Sequence, residues 1–176
     1  KEVMMMYNKR LSVSPITTHI PVNKISRKIT KSLIVNKIKT INDFYKKYFK
    51  TKPYIWVLGL NPHSFTPSFR NEEKKIILPA INIVKRQGIK ISGPISPDTS
   101  FSNFSKEKVN VIVGMYHDQV LTPFKALFDY KAINITLGLP YIRVTPDHGV
   151  AKNIMGKKIA NAESLIESIK FFNFIK

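Results

Sequence analysis

Short apolar runs alternate along the chain with stretches whose apolar residues recur at helical spacing, the pattern of an α/β fold. Residues 1–7 and 11–18 read as strands. From Thr30 onward, Leu33, Ile34, Ile38, Ile41, Phe44, Tyr45 and Tyr48 share one helical face and predict a long amphipathic helix. Residues 54–60, Tyr-Ile-Trp-Val-Leu-Gly-Leu, form a continuous apolar run, as expected of a strand buried on both faces of a parallel sheet. Asn71-Glu72-Glu73 predicts a helix start, because an Asn cap and acids in the first turn complement the free N–H groups there. That helix should run to about Gln87 and stop at Gly88, with Pro79 kinking or dividing it. Residues 89–92, 109–116, 131–137 and 141–145 predict four further strands, the last two separated by the turn Gly138-Leu139-Pro140. Residues 163–172 predict a closing helix. With no internal repeat, low-complexity segment or linker, residues 1–176 are expected to form one domain or most of one.

Candidate chemistry sits where the apolar runs end. The four histidines lie in polar, turn-like contexts: Thr17-Thr18-His19-Ile20-Pro21, Asn61-Pro62-His63, Tyr116-His117-Asp118-Gln119 and Pro146-Asp147-His148-Gly149. None has the i, i+4 spacing of a metal pair on a single helix. Ligands of α/β sheets bind outside the carboxyl ends of the strands, so three strands ending in His could converge on a divalent ion. Histidines that merely cap turns would give the same spacing. Asp118 and Asp147 adjoin histidines, where a carboxylate commonly orients the ring. Asp98 and Asp118 also precede residues that could open helices, so each reads equally well as a cap. Lys125, Asn134 and Arg143 lie near strand and helix ends, and such a set could grip a phosphate or carboxylate. Arginine is scarce in this chain, so Arg143 carries more weight than Lys125.

Composition narrows the classes. The absence of cysteine removes disulfides, thiolate zinc sites and a cysteine nucleophile, and suits a reducing cytoplasm. At 43% apolar residues a sizeable core is available. No apolar run approaches the roughly 20 residues of a membrane helix. The start, Lys1-Glu2-Val3-Met4-Met5-Met6, resembles neither a signal peptide nor an initiator, and reads as a strand already under way in a longer chain. A net charge of +18 raises the reading of a basic nucleic-acid-binding module. Lysine, Ile, Asn, Phe and Tyr all have A/T-rich codons, however, and the positive residues are spread along the chain. Composition therefore argues for codon drift and against a nucleic-acid partner. There is no Gly-x-Gly-x-x-Gly and no Walker loop.

Five segments, in order, carry a resemblance to a known family: Gly59-Leu60-Asn61-Pro62-His63, residues 92–99 (Ser-Gly-Pro-Ile-Ser-Pro-Asp-Thr), Met115-Tyr116-His117-Asp118-Gln119, residues 134–143 (Asn-Ile-Thr-Leu-Gly-Leu-Pro-Tyr-Ile-Arg) and Asp147-His148-Gly149. The chain resembles the 4-hydroxythreonine-4-phosphate dehydrogenase family of vitamin B6 (pyridoxal phosphate) biosynthesis, over the C-terminal half of the family's usual length. The resemblance implies an isocitrate/isopropylmalate dehydrogenase-like α/β fold, a mixed sheet with flanking helices, which binds NAD without a Rossmann loop. It implies a divalent metal (zinc, magnesium or cobalt) held by His19, His63 and His117 at a homodimer interface. It further implies that Lys125, Asn134 and Arg143 contact a small phosphorylated substrate, 4-phosphohydroxy-L-threonine, which is oxidised and decarboxylated to 3-amino-2-oxopropyl phosphate. His148, with Asp147, would be a structural or cofactor-side element. No catalytic residue and no NAD-contacting residue is assigned.

Departures qualify the expectation. Where the family has a glycine-rich loop after His63, this chain has Ser64-Phe65-Thr66-Pro67-Ser68-Phe69-Arg70, and Phe65, Pro67 and Phe69 lack glycine's conformational range. Val120 and Val150 replace a usual glycine and threonine. The family's N-terminal half, with a substrate-binding His-Thr pair, has no match here and is expected either in a longer chain or as a separately encoded partner. The isolated fragment is therefore expected to be inactive. Competing readings are a dehydrogenase of a threonate or erythronate 4-phosphate, a decayed non-catalytic remnant, and the nucleic-acid module, whose affinity would fall steeply with salt.

Overall fold

Alternation decides which side of the sheet each strand residue serves. In the computed structural model, which describes residues 2–64, 71–147, 149 and 151–175, the strands are β1 (Val3–Asn8), β2 (Leu11–Pro15), β3 (Ile55–Leu58), β4 (Ile91–Ile95), β5 (Val111–Gly114), β6 (Ile133–Leu137) and β7 (Arg143–Pro146). They form one mixed sheet in the order β4-β3-β5-β2-β1-β6-β7. The neighbours β4, β3, β5 and β2 run parallel. β1 returns as a hairpin partner of β2, with Asn8 opposite Leu11, and pairs antiparallel with β6, which pairs antiparallel with β7.

Ile55, Val57, Val111, Val113, Ile133, Ile135 and Leu137 all enter one core cluster. It is covered by α2 (Lys31–Phe44), α3 (Leu78–Arg86) and Phe171 of α6 (Glu163–Phe174). The intervening residues Trp56, Leu58 and Ile112 enter the second cluster, with Val120, Leu121, Phe124 and Phe128 of α5 (His117–Phe128) and with Phe104. Val120, the apolar replacement noted above, is wholly buried there. Central strands buried on both faces read as unbroken apolar runs, which is why residues 54–60 carry no alternation. Two short helices, α1 (Ile25–Lys28) and α4 (Pro97–Asn103), complete the set.

Helix boundaries follow local chemistry. The Thr30 hydroxyl accepts from the Leu33 amide at 3.2 Å and starts α2. Beyond Phe44 the same apolar face continues through a π-helical turn, Tyr45–Phe49, and stops at Lys50 in the left-handed region (φ 55°). Asn71 acts as expected: its side-chain oxygen accepts from the Lys74 amide at 3.0 Å. The segment changes winding just before Pro79: a π-helical turn over Glu73–Ile77 runs on through Leu78 (φ −60°, ψ −45°) into α3, whose first turn holds Pro79.

Candidate active site

The carboxyl ends of β4, β3, β5 and β2 lie along one sheet edge because the four strands are parallel neighbours. Just beyond those ends the chain places, in the same spatial order, Asp98, His63, His117 and His19. Beyond β2, Ile16 donates to the Gly114 carbonyl (2.8 Å), and the Thr17 amide and hydroxyl both donate to the Met115 carbonyl (3.1 and 2.7 Å). This extended pairing brings His19 against His117, with ring centroids 5.5 Å apart and a 44° tilt. Lys37 of α2 donates to the Pro15 carbonyl (3.2 Å) at the same edge, and burial pulls its pKa below the ordinary lysine value. His117 is the first residue of α5, and its Nδ1 lies 2.8 Å from an Asp118 oxygen. A carboxylate on Nδ1 leaves Nε2 to face a metal.

His63 stands on a strained turn. His63 and Ser64 both adopt left-handed conformations (φ 57° and 54°), uncommon outside glycine. The chain folds so tightly that a Cβ on Gly59 would lie 2.8 Å from the Ser64 Cα. Side chains of Gln119, Glu72 and Glu73 fix the turn's entry, Glu72 accepting from the Asn61 side chain at 3.2 Å. Gln119 of α5 donates to the Gly59 carbonyl (2.7 Å) while accepting from the Met115 amide (2.6 Å), bolting the end of β3 to the end of β5. Glu73 accepts from the Leu60 and Asn61 amides, each at 2.9 Å, and from the Asn61 side chain at 3.1 and 3.2 Å. Burial would raise the Glu73 pKa, but the donors from Asn61 and Leu60 outweigh it and hold the carboxyl below its usual range. His63 itself is 78% exposed and points its Nδ1 at Asp98, 3.3 Å away. The Ser96 hydroxyl, 2.6 Å from Asp98, and then the His63 charge hold that carboxyl low.

The residues expected to grip the substrate lie on three elements, Lys125 on α5, Asn134 on β6 and Arg143 on β7. On β6, Asn134 and Thr136 alternate with the buried Ile133, Ile135 and Leu137 and so face the α5 side of the sheet. Thr145 and Arg143 pair with them across β7. Arg143 donates to the Thr136 hydroxyl at 2.9 Å, and Asn134 Oδ1 is buried with no hydrogen-bond partner among the described residues. Lys125 forms an ion pair with Asp147 at 3.0 Å. Because Arg143 starts β7 and Asp147 follows its end, the two cations are anchored about one strand length apart, roughly 13 Å at about 3.3 Å per residue.

The structure thus brings His19 and His117 together, sets His63 on the adjoining strand end turned toward Asp98, and spreads Lys125, Asn134 and Arg143 along one polar shelf. Among the described residues no three His, Asp or Glu side chains gather closely enough to hold an ion between them. The donor chemistry of the His19–His117 pair nonetheless fits a divalent metal. Phe65, Pro67, Phe69, His148 and Val150 lie outside the described residues. No site role was read from the sequence for Glu73, Gln119 or Thr136: Glu73 read only as part of a helix start, and Gln119 and Thr136 only as members of the segments that carry the resemblance.

Comparison with known proteins agrees with this architecture. Residues 1–172 match the family described as "Pyridoxal phosphate biosynthetic protein PdxA". The 4-hydroxythreonine-4-phosphate dehydrogenase of Sulfurihydrogenibium sp. strain YO3AOP1 is 46% identical over 175 residues, covering 98% of this chain and 54% of that protein. That of Aquifex aeolicus is 42% identical over 168 residues, covering 95% and 52%. The crystal structure of the Klebsiella pneumoniae 4-hydroxythreonine-4-phosphate dehydrogenase superposes with a TM-score of 0.84 at 35% identity, over 97% of this chain and 52% of that one. The chain therefore spans about half the length of the curated relatives it matches. Its mixed α/β sheet is of the isocitrate/isopropylmalate dehydrogenase-like type. With the sheet, the histidine-bearing edge and the sequence match in agreement, the chain belongs to the PdxA family of pyridoxal phosphate biosynthetic proteins.

Proposed function

We propose that this chain supplies the histidine-bearing half of a dehydrogenase that oxidises 4-phosphohydroxy-L-threonine to 3-amino-2-oxopropyl phosphate, with loss of carbon dioxide, in vitamin B6 biosynthesis. The observation that supports this reading is the placement of His19, His63 and His117 just beyond three adjacent parallel strands in a chain of this family. His19 and His117 would hold a divalent ion (zinc, magnesium or cobalt) with His63 as third ligand. Such an ion supplies Lewis-acid polarisation of the substrate hydroxyl, and bound NAD supplies the hydride acceptor.

The chain's own residues do the positioning. Asp118 on Nδ1 fixes the His117 ring, and Gln119 holds the ends of β3 and β5 at a set separation. Arg143, steadied by Thr136, offers a fork of donors to the substrate phosphate. Asn134 presents a buried oxygen on the same shelf that can accept from a substrate hydroxyl or amine. Held at its phosphate, the substrate has its reacting carbon fixed by remote binding energy. A second copy of the chain and the half of the relatives' length that this chain does not span would complete the site in the cytoplasm, so the 176-residue chain alone is not expected to turn over substrate.

Calorimetric titration of the chain with Zn2+ or Co2+, beside a His19→Ala, His63→Ala, His117→Ala variant, tests the metal centre. Binding that the variant loses is the expected result. Absence of binding by the original chain, or its survival in the variant, overturns the assignment. NAD reduction on mixing the chain with the complementary half of the Sulfurihydrogenibium relative tests the reaction itself.

A further inference from the structure

We propose that Glu73 is a positioning residue: it organises the left-handed turn that carries His63 and thereby sets the third ligand position of the metal centre. The inference rests on the metal-centre reading above and extends it to a residue that touches neither metal nor substrate.

Glu73 is 3% exposed, yet no lysine or arginine partners it among the described residues. Its donors from elsewhere in the chain come from two consecutive residues, Leu60 and Asn61, and its own backbone amide adds to them. A carboxylate with two backbone and two side-chain contacts to one dipeptide acts as a template for that dipeptide's conformation. It takes up amides that the end of β3 would otherwise leave unpaired. Two residues later His63 adopts φ 57°, and Ser64 follows at φ 54°. Residues in this region persist only where their surroundings over-determine them. The surroundings here are the Glu73 carboxylate on one side of the turn and the Gln119–Gly59 bond on the other.

Glu73 opens the π-helical turn over Glu73–Ile77, which runs on into α3, and Ile77, Ala80, Ile81 and Val84 are buried against the sheet. The carboxylate is therefore carried by a packed element and offers a fixed reference point. Without it, the Leu60 and Asn61 amides would turn to solvent, the left-handed residues would relax, and His63 would no longer be delivered to one place.

The test uses the 176-residue chain with Co2+ alone as probe, because its visible spectrum reports how many ligands surround it. Glu73→Ala is expected to weaken Co2+ binding by roughly 10–100-fold, the usual effect of removing a partner that orients a ligand, and to change the spectrum as His63→Ala does. Glu73→Gln, which keeps the volume and one acceptor oxygen, should fall between. In a His63→Ala background, Glu73→Ala should cause no further loss. An equal loss in both backgrounds, or none in either, overturns the proposal. If the original chain binds no Co2+, the metal reading falls by itself. Amide exchange at Leu60 and Asn61 then decides for the turn: protection lost in Glu73→Gln supports the inference, and protection unchanged overturns it.

Discussion

Among the described residues Glu73 pairs with no cation, and its hydrogen-bond donors make stability depend on pH in a definite direction. Its folded pKa lies below the ordinary glutamate value, roughly 4.3, because the Asn61 and Leu60 donors outweigh burial. The stabilisation is therefore fully present above that ordinary value and is lost as pH falls through the lower folded value. Urea midpoints measured from pH 6 down to pH 3 should fall for the original chain more steeply than for Glu73→Gln, which has no proton to take up at this site. Parallel curves for the two proteins would show that the carboxylate's charge is not what the turn uses. His63 contributes differently: exposed and facing Asp98 at 3.3 Å, it belongs to a solvent-screened pair that adds little to stability.

At the scale of elements, α5 performs two tasks, and its sequence separates them. Its first residues, His117, Asp118 and Gln119, serve the site edge, while Val120, Leu121, Phe124 and Phe128 fill the second core. Phe124 is wholly buried, so Phe124→Ala should destabilise the chain by about 3–5 kcal/mol. Leu127→Ala, at a half-exposed position, should stay within about 0.5 kcal/mol. Thermal or urea denaturation of the two variants checks the contrast, and equal losses would mean that α5 does not pack as described. This division also shows what the sequence could and could not convey. The strands were legible because apolar runs bury them, and the positions of His19, His63 and His117 were legible because each follows such a run. The runs overstated strand length: residues 109–116 contract to Val111–Gly114, since Val109 and Tyr116 pack on the core outside the ladder, while Met115 only accepts from Thr17 beyond the end of β2. Gln119 and Glu73 were illegible as clamps because their partners, Gly59 and Asn61, are 60 and 12 residues away and no local period links them. The π-helical turns were equally hidden, since the same apolar face suits an α-helix.

Across the whole molecule, α6 departs from the usual arrangement of an amphipathic helix. It buries Ser164 and Ser168, which tie it down: Ser164 donates to the Ala132 carbonyl (2.6 Å) and accepts from the Asp147 amide (2.7 Å), while Ser168 donates to the Ser164 carbonyl (2.8 Å). Small hydroxylated residues let the helix sit close to β6 and β7 while satisfying backbone groups. The larger apolar side chains Leu165, Ile166, Ile169 and Phe172 then face outward, Ile169 being 63% exposed. A contiguous apolar face of this kind drives association when nothing covers it. The net charge of +18 opposes that association through repulsion, which salt screens over a Debye length of about 10 Å at 0.1 M. The two effects together fix the sign of the salt dependence: the sedimenting mass of the isolated chain should rise with ionic strength and with concentration. Ile169→Lys combined with Phe172→Lys should hold it monomeric under the same conditions, with the fold retained, because both positions are exposed. A basic nucleic-acid-binding module would show the opposite trend with a duplex probe, its affinity falling as salt rises. A chain that sediments as a monomer at every salt and concentration would show that the outward face of α6 is too small or too divided to drive association.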